Sequence, residues 1–127
     1  MTHDEKAAAV HAYIAAFAAN DPEAVRQIFS AGARVEDPVG SPAHVGIEAI
    51  VEFYTRSMAM KPKLQLEGPI RTAANSAAFA FSVVFEGTDM AVEVIDIFEF
   101  DEEGKVSSMR AYFAPENMKG FPQDWSA

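Results

Sequence analysis

Three side chains, Tyr13, Asp37 and Asp96, carry oxygen chemistry into apolar surroundings. Asp96 lies within EVIDIFEF, residues 93–100. Side chains alternate faces along a strand, so Val92, Val94, Asp96, Phe98 and Phe100 share one face. A charged carboxylate there is costly unless it is paired, and no lysine or arginine shares that face. Burial without a partner raises a carboxyl pKa and leaves a neutral acid, which donates a hydrogen bond. Tyr13 belongs to a stripe of Val10, Tyr13, Ile14 and Phe17 at helical spacing, so its phenol points the same way as the apolar residues. Asp37 stands in VEDP, before Pro38; Glu36 beside it points to the opposite side of the extended segment and is the weaker candidate base. A donor phenol and a donor acid converging on one oxygen, with a separate carboxylate near a carbon, can remove a proton α to a carbonyl and stabilise the enolate.

Each residue also has a plainer reading. Tyr13 can be an amphipathic core tyrosine, Asp37 a turn residue before Pro38, and Asp96 the partner of Arg71 or Arg110 on a neighbouring strand.

The elements that must position these groups fall into two halves. Thr2 with Glu5 forms a capping box for a first helix, which Asn20 ends. Asp21 followed by Pro22 opens a second helix with Ala24, Val25, Ile28 and Phe29 on its buried stripe. RVED is extended, and Pro38, Gly40, Pro42 and Gly46 make a loop. A third helix places Ile47, Ile50, Val51, Tyr54 and Met58 on one face, with Glu48, Glu52 and Arg56 on the other. Strands are predicted over 63–72, interrupted at Gly68 and Pro69, and over 77–86, 90–100 and 105–113. Phe79, Phe81, Val83 and Phe85 share one face, as do Met109, Ala111 and Phe113. The tail PENMKGFPQDW reads as irregular. The layout is α+β: three helices packed on one face of a curved, mostly antiparallel sheet, a cone lined by aromatic residues.

Composition bounds the function. The 127 residues suit one domain, residues 1–127, with 50% hydrophobic and 23% charged residues. A net charge of −9 argues against nucleic-acid or anionic-membrane partners and says little about uncharged small molecules. Without cysteine there is no disulfide or thiol nucleophile, which fits the cytoplasm. The charged N-terminal stretch reads as no secretory signal, and no apolar run is long enough to span a membrane. His3, His11 and His44 lack metal-ligand spacing.

AYIAAFAANDPEAV, VEDPVGSP, GIEAIVEFY and EVIDIFEFDEEGKVSSMRAYF together resemble the Δ5-3-ketosteroid isomerases of the NTF2-like (SnoaL-like) fold, over nearly the whole chain. The neutral acid in an oxyanion hole is a known feature of that family. The resemblance implies that Tyr13 and Asp96 form the oxyanion hole. It implies that Asp37 is the general base, taking the C4 proton of a 3-oxo-Δ5-steroid and returning it to C6. Tyr54 would hydrogen-bond the catalytic tyrosine, and Phe53, Phe79, Phe81, Val83, Met109, Ala111 and Phe113 would line the pocket. It further implies a cofactor-free homodimer acting on a small steroid. Phe29 and Phe113 depart from a tyrosine and a tryptophan found in some relatives. A second reading is a cyclase or hydrolase of the same fold; an epoxide hydrolase would need an Asp–Arg–Asp cluster activating water, for which Arg71 and Arg110 are candidates. A non-catalytic binder would use Tyr13 and Asp96 only to orient a carbonyl ligand.

Overall fold

A computed structural model describes residues 1–122; the part of the tail at 123–127 lies outside the described residues. Helix α1 (His3–Ala18) starts on the capping box, with Thr2 Oγ1 accepting from the Glu5 N–H and the Glu5 carboxylate accepting from the Thr2 N–H. It stops before Asn20, whose φ of 53° suits a left-handed residue at a helix end. Its buried face includes Val10, Tyr13 and Phe17.

The second helix is shorter than its apolar spacing predicts. It is a 3₁₀ helix, Pro22–Gln27, and the Asp21 side chain makes no capping bond. Ile28 and Phe29 are buried as expected, but Phe29 already begins strand β1 (Phe29–Glu36). Two apolar neighbours at a helix end satisfy helical and extended patterns alike. A two-residue strand β2 (His44–Val45) leads into helix α2 (Ile47–Ser57), which buries Ile50, Val51 and Tyr54 and pairs Arg56 with Glu52 at 2.9 Å.

Gly68 and Pro69 split the first predicted strand in two, β3 (Lys63–Leu66) and β4 (Arg71–Ala73). The longer strands follow: β5 (Ser76–Val84), β6 (Ala91–Phe100) and β7 (Val106–Tyr112). The tail is more ordered than its composition indicates, with a 3₁₀ turn at Pro115–Asn117 and a short strand β8 (Met118–Lys119) paired with β6.

The main sheet path is β2-β1-β7-β6-β5-β3, with β4 paired to β5. All pairings are antiparallel except one: β1 runs parallel to β7. That pairing carries the segment before Asp37 from the helical half into the sheet. Val35 lies opposite Met109 and Glu36 opposite Arg110, so Asp37, the next residue, reaches the level of Ala111. The buried side chains form a core cluster between the inner sheet face and the helices.

Candidate active site

The face predicted for β6 is the one buried: Val92, Val94, Asp96, Phe98 and Phe100 point inward, while Glu93 and Ile95 point out. Across the sheet Asp96 lies opposite Phe79 on β5 and Ala111 on β7. Continuing the β1–β7 register adds Asp37 beside Ala111. One row therefore reads Phe79, Asp96, Ala111, Asp37. Strands lie about 4.8 Å apart, so the two carboxylate-bearing backbones stand roughly 10 Å apart with only a methyl side chain between them.

The helices supply the roof. Tyr13 is 2% exposed, and its hydroxyl lies 3.0 Å from that of Tyr54 on α2. Aromatic rings hold the Tyr13 ring from several sides. Phe17 and Phe98 meet it edge-on at 5.3 Å between centroids, and Phe79 at 6.2 Å. Such edge contacts favour a fixed ring over a mobile one. Phe29 lies 5.9 Å from Tyr54, a ring of pure hydrocarbon, so no phenol stands at position 29 to continue the hydroxyl pair. Phe98 was not among the expected pocket residues, although the alternation that marked Asp96 marks it equally.

Asp96 is 1% exposed, and neither carboxylate oxygen meets a hydrogen-bond partner among the described residues. Neither arginine reaches it. Arg110 pairs with Glu99 at 3.2 Å, and exposed Arg71 donates to the Pro69 carbonyl. Burial first, and the nearby Asp37 charge second, push the Asp96 carboxyl well above the ordinary carboxylate range. Tyr13 stands outside good hydrogen-bond geometry to it, yet near enough to oppose that rise slightly. Burial also raises the Tyr13 and Tyr54 phenols, so both keep their protons.

Asp37 is different. It is largely but not fully covered, and desolvation by burial pushes its carboxyl up to about 6. It is thus ionised at neutral pH and only weakly basic. Glu36 faces away: its carboxylate accepts from the Gly40 N–H and lies 3.6 Å from Arg34.

The expected lining residues are distributed as their spacing requires. Phe79, Phe81, Met109 and Ala111 are buried on the inner face. Val83, Phe53 and Phe113 are partly buried against the same core. Phe53 packs against Tyr54 and stacks on His44 at 4.2 Å, a contact the sequence did not signal. Among the described residues no group of three or more His, Asp or Glu converges as a metal site. No described helix is long and apolar enough to cross a membrane.

The arrangement thus brings two buried groups, the Tyr13 phenol and the Asp96 carboxyl, together among apolar side chains, with the Asp37 carboxylate near both. That combination suits stabilising a developing oxyanion while a proton moves on a neighbouring carbon.

Comparison with known proteins shows the family and the fold. Residues 10–109 match the model of the SnoaL-like domain. The chain is 39% identical over 116 residues to a protein of Nocardioides simplex named Steroid Delta-isomerase, covering 90% of this chain and 94% of that one. In three dimensions it is similar to SalBIII, described as an epoxide hydrolase/cyclase-like enzyme of pyran ring formation in salinomycin. That superposition has a TM-score of 0.85 over 93% of this chain and 97% of the other, at 21% identity. At that identity the likeness speaks for the fold alone.

Proposed function

The chain belongs to the SnoaL-like family, in its steroid Δ-isomerase branch, and from that membership we propose that it moves the double bond of 3-oxo-Δ5-steroids from Δ5 to Δ4. The Asp37 carboxylate removes a proton from C4. The electrons move onto the 3-oxygen, making a dienolate. Tyr13 and Asp96 each donate a hydrogen bond to that oxygen. Asp37 then delivers the proton to C6 and returns to its ionised form. The ring system lies flat over Ala111, between the donors and the base, against Phe79, Phe81 and Met109.

The observation that carries the reading is the unpartnered Asp96 carboxyl, buried beside Tyr13 and held protonated. A structural aspartate in this position would normally have found a partner. A dry site makes each donor count for more, because little solvent competes for the oxyanion. The hydrolase alternative lacks support here, since its arginine must join the carboxylates and Arg110 is tied to Glu99 instead. The same proposal includes a homodimer formed through the outer sheet face, where Ile95 is 49% exposed beside half-buried Ile97.

The test is to mix the protein with 5-androstene-3,17-dione and follow the ultraviolet absorbance of the conjugated enone, with Asp37→Asn as control. Rapid growth that the control loses is the expected result. Binding of the steroid with no turnover by the wild-type protein would move the site to the binding-module reading.

A further inference from the structure

A base that takes a proton from C4 and returns it to C6 must serve both carbons, which flank C5. Such a base needs a free side chain on a fixed stem. The Asp37 side chain is free: burial is all that shifts its carboxyl, and no hydrogen bond holds it among the described residues. The backbone that carries it is therefore the part that must be fixed.

Before Asp37 the anchor is the sheet. Val35 and Glu36 lie in register with Met109 and Arg110 of β7, and the pairing ends at Glu36. After Asp37 the Val39 N–H donates to the Ala111 carbonyl at 2.8 Å. Ser41 donates to the Pro38 carbonyl twice, from its N–H at 3.0 Å and from its hydroxyl at 2.6 Å. One bond spans the base itself. The Glu36 carboxylate accepts from the Gly40 N–H at 2.9 Å, joining the residue before Asp37 to one three places after it. Gly40 has a φ of 100°, a conformation that other residues rarely adopt, so its N–H is turned there by a glycine-specific backbone. The Glu36 side chain is 19% exposed, although it faces away from the buried core. Its other oxygen lies 3.6 Å from Arg34, whose side chain is more than half exposed, and an ion pair of that kind contributes little. The bond to Gly40 is the stronger tie, because a carboxylate acceptor strengthens a hydrogen bond.

We propose that Glu36 is a positioning residue for the base: closed on Gly40, its carboxylate clamps the segment that carries Asp37 and sets where that carboxylate meets the substrate. The inference rests on the isomerase reading above. Glu36 acts through the backbone and not on the substrate. Its loss leaves the β1–β7 pairing and the Val39–Ala111 bond in place, so the segment loosens while the sheet persists. The loss falls on proton transfer and not on binding, because Tyr13 and Asp96 stand on α1 and β6. Proton transfer is sensitive to such loosening, since small misplacements of a reacting group slow a reaction steeply.

The experiment compares Glu36→Ala, which removes the acceptor, with Glu36→Gln, which keeps one amide oxygen to accept from Gly40. Turnover of 5-androstene-3,17-dione gives kcat and KM. Calorimetry with saturated 5α-androstan-3-one, which offers a carbonyl and no double bond to move, reports binding alone. In Glu36→Ala kcat is expected to fall by about tenfold, the scale of one hydrogen bond, with KM and the affinity for the saturated ketone unchanged. Glu36→Gln is expected to recover most of kcat. A wild-type kcat in Glu36→Ala, an equal loss in the two variants, or a parallel loss of ketone binding overturns the clamp and leaves the isomerase reading standing. A wild-type protein that turns over no steroid overturns both.

Discussion

The Tyr13 and Tyr54 hydroxyls lie 3.0 Å apart, and each ring is almost completely buried. On the proposed mechanism Tyr54 acts through Tyr13 and not on the substrate itself. A phenol that receives a hydrogen bond from Tyr54 is a better donor to an oxyanion, because charge pulled from it is shared. Tyr54→Phe should therefore lower kcat modestly, by about tenfold for a net loss near 1 kcal/mol. Tyr13→Phe removes the donor itself and should lower kcat by about 10² to 10³, the scale seen for a single oxyanion-hole donor. Steady-state rates for the two variants check the order. A larger loss in Tyr54→Phe than in Tyr13→Phe would reverse the assignment of direct and indirect donor.

On the proposed mechanism Asp37 sets the acid limb of activity. Burial raises its carboxyl to about 6, and the base must be ionised to take a proton. In a plot of kcat/KM against pH, the rate should rise tenfold per unit at low pH and level off above about 6. Its charge also raises the Asp96 carboxyl. Asp37→Asn should consequently lower the Asp96 pKa while leaving it above the ordinary carboxylate range, because burial remains. Carbon-13 chemical shifts of the Asp96 carboxyl across pH report this directly. An Asp96 titration identical in the two proteins would show that the carboxylates do not interact.

Much of the site is legible in the sequence, because its residues sit on long periodic elements. Ten residues of β6 alternate without a break, so Asp96 has one possible side once the strand is recognised. Tyr13 and Tyr54 lie on helical stripes of the same clarity. What local pattern could not convey is pairing. Nothing near residues 29–36 states that this strand lies parallel to β7, yet that pairing puts Asp37 beside Ala111. The second helix is shorter than its spacing predicts because Ile28 and Phe29 continue that spacing into a strand. The order of the tail is not legible in its sequence because it comes from Asn117 closing on Ala114 and from β8 meeting β6, neither of which has a periodic signature.

The outer sheet face carries a prediction about assembly. Ile95 and Tyr112 lie directly opposite each other on β6 and β7, 49% and 44% exposed. Exposed apolar pairs on a paired sheet face are suited to a second copy of the same face. Ile95→Glu places a charge at the centre of that contact. Sedimentation should then show the mass falling from twice the 13.8 kDa chain mass to the chain mass itself. A wild-type protein that sediments as a monomer would remove the outer face from consideration.

Asp96 should make the protein less stable as pH rises, opposite to the usual effect of a carboxylate. Its folded-state pKa lies well above the ordinary value of 3.8, so the folded protein binds this proton more tightly than the unfolded chain does. Its contribution to stability is full below the unfolded pKa. It is lost as pH climbs from about 4 through the folded pKa, with a slope of at most about 1.4 kcal/mol per pH unit. Asp96→Asn has a similar shape and nothing to titrate. The buried Asp37 contributes in the same direction to both proteins, so the difference between them isolates Asp96. Urea unfolding at pH 4.5 and pH 8 should show the variant gaining on the wild-type protein at the higher pH. Parallel stabilities at the two pH values would mean that Asp96 ionises at the same pH in the folded and unfolded chains. The neutral-donor role would fall with that result, since such an acid would carry no proton at neutral pH.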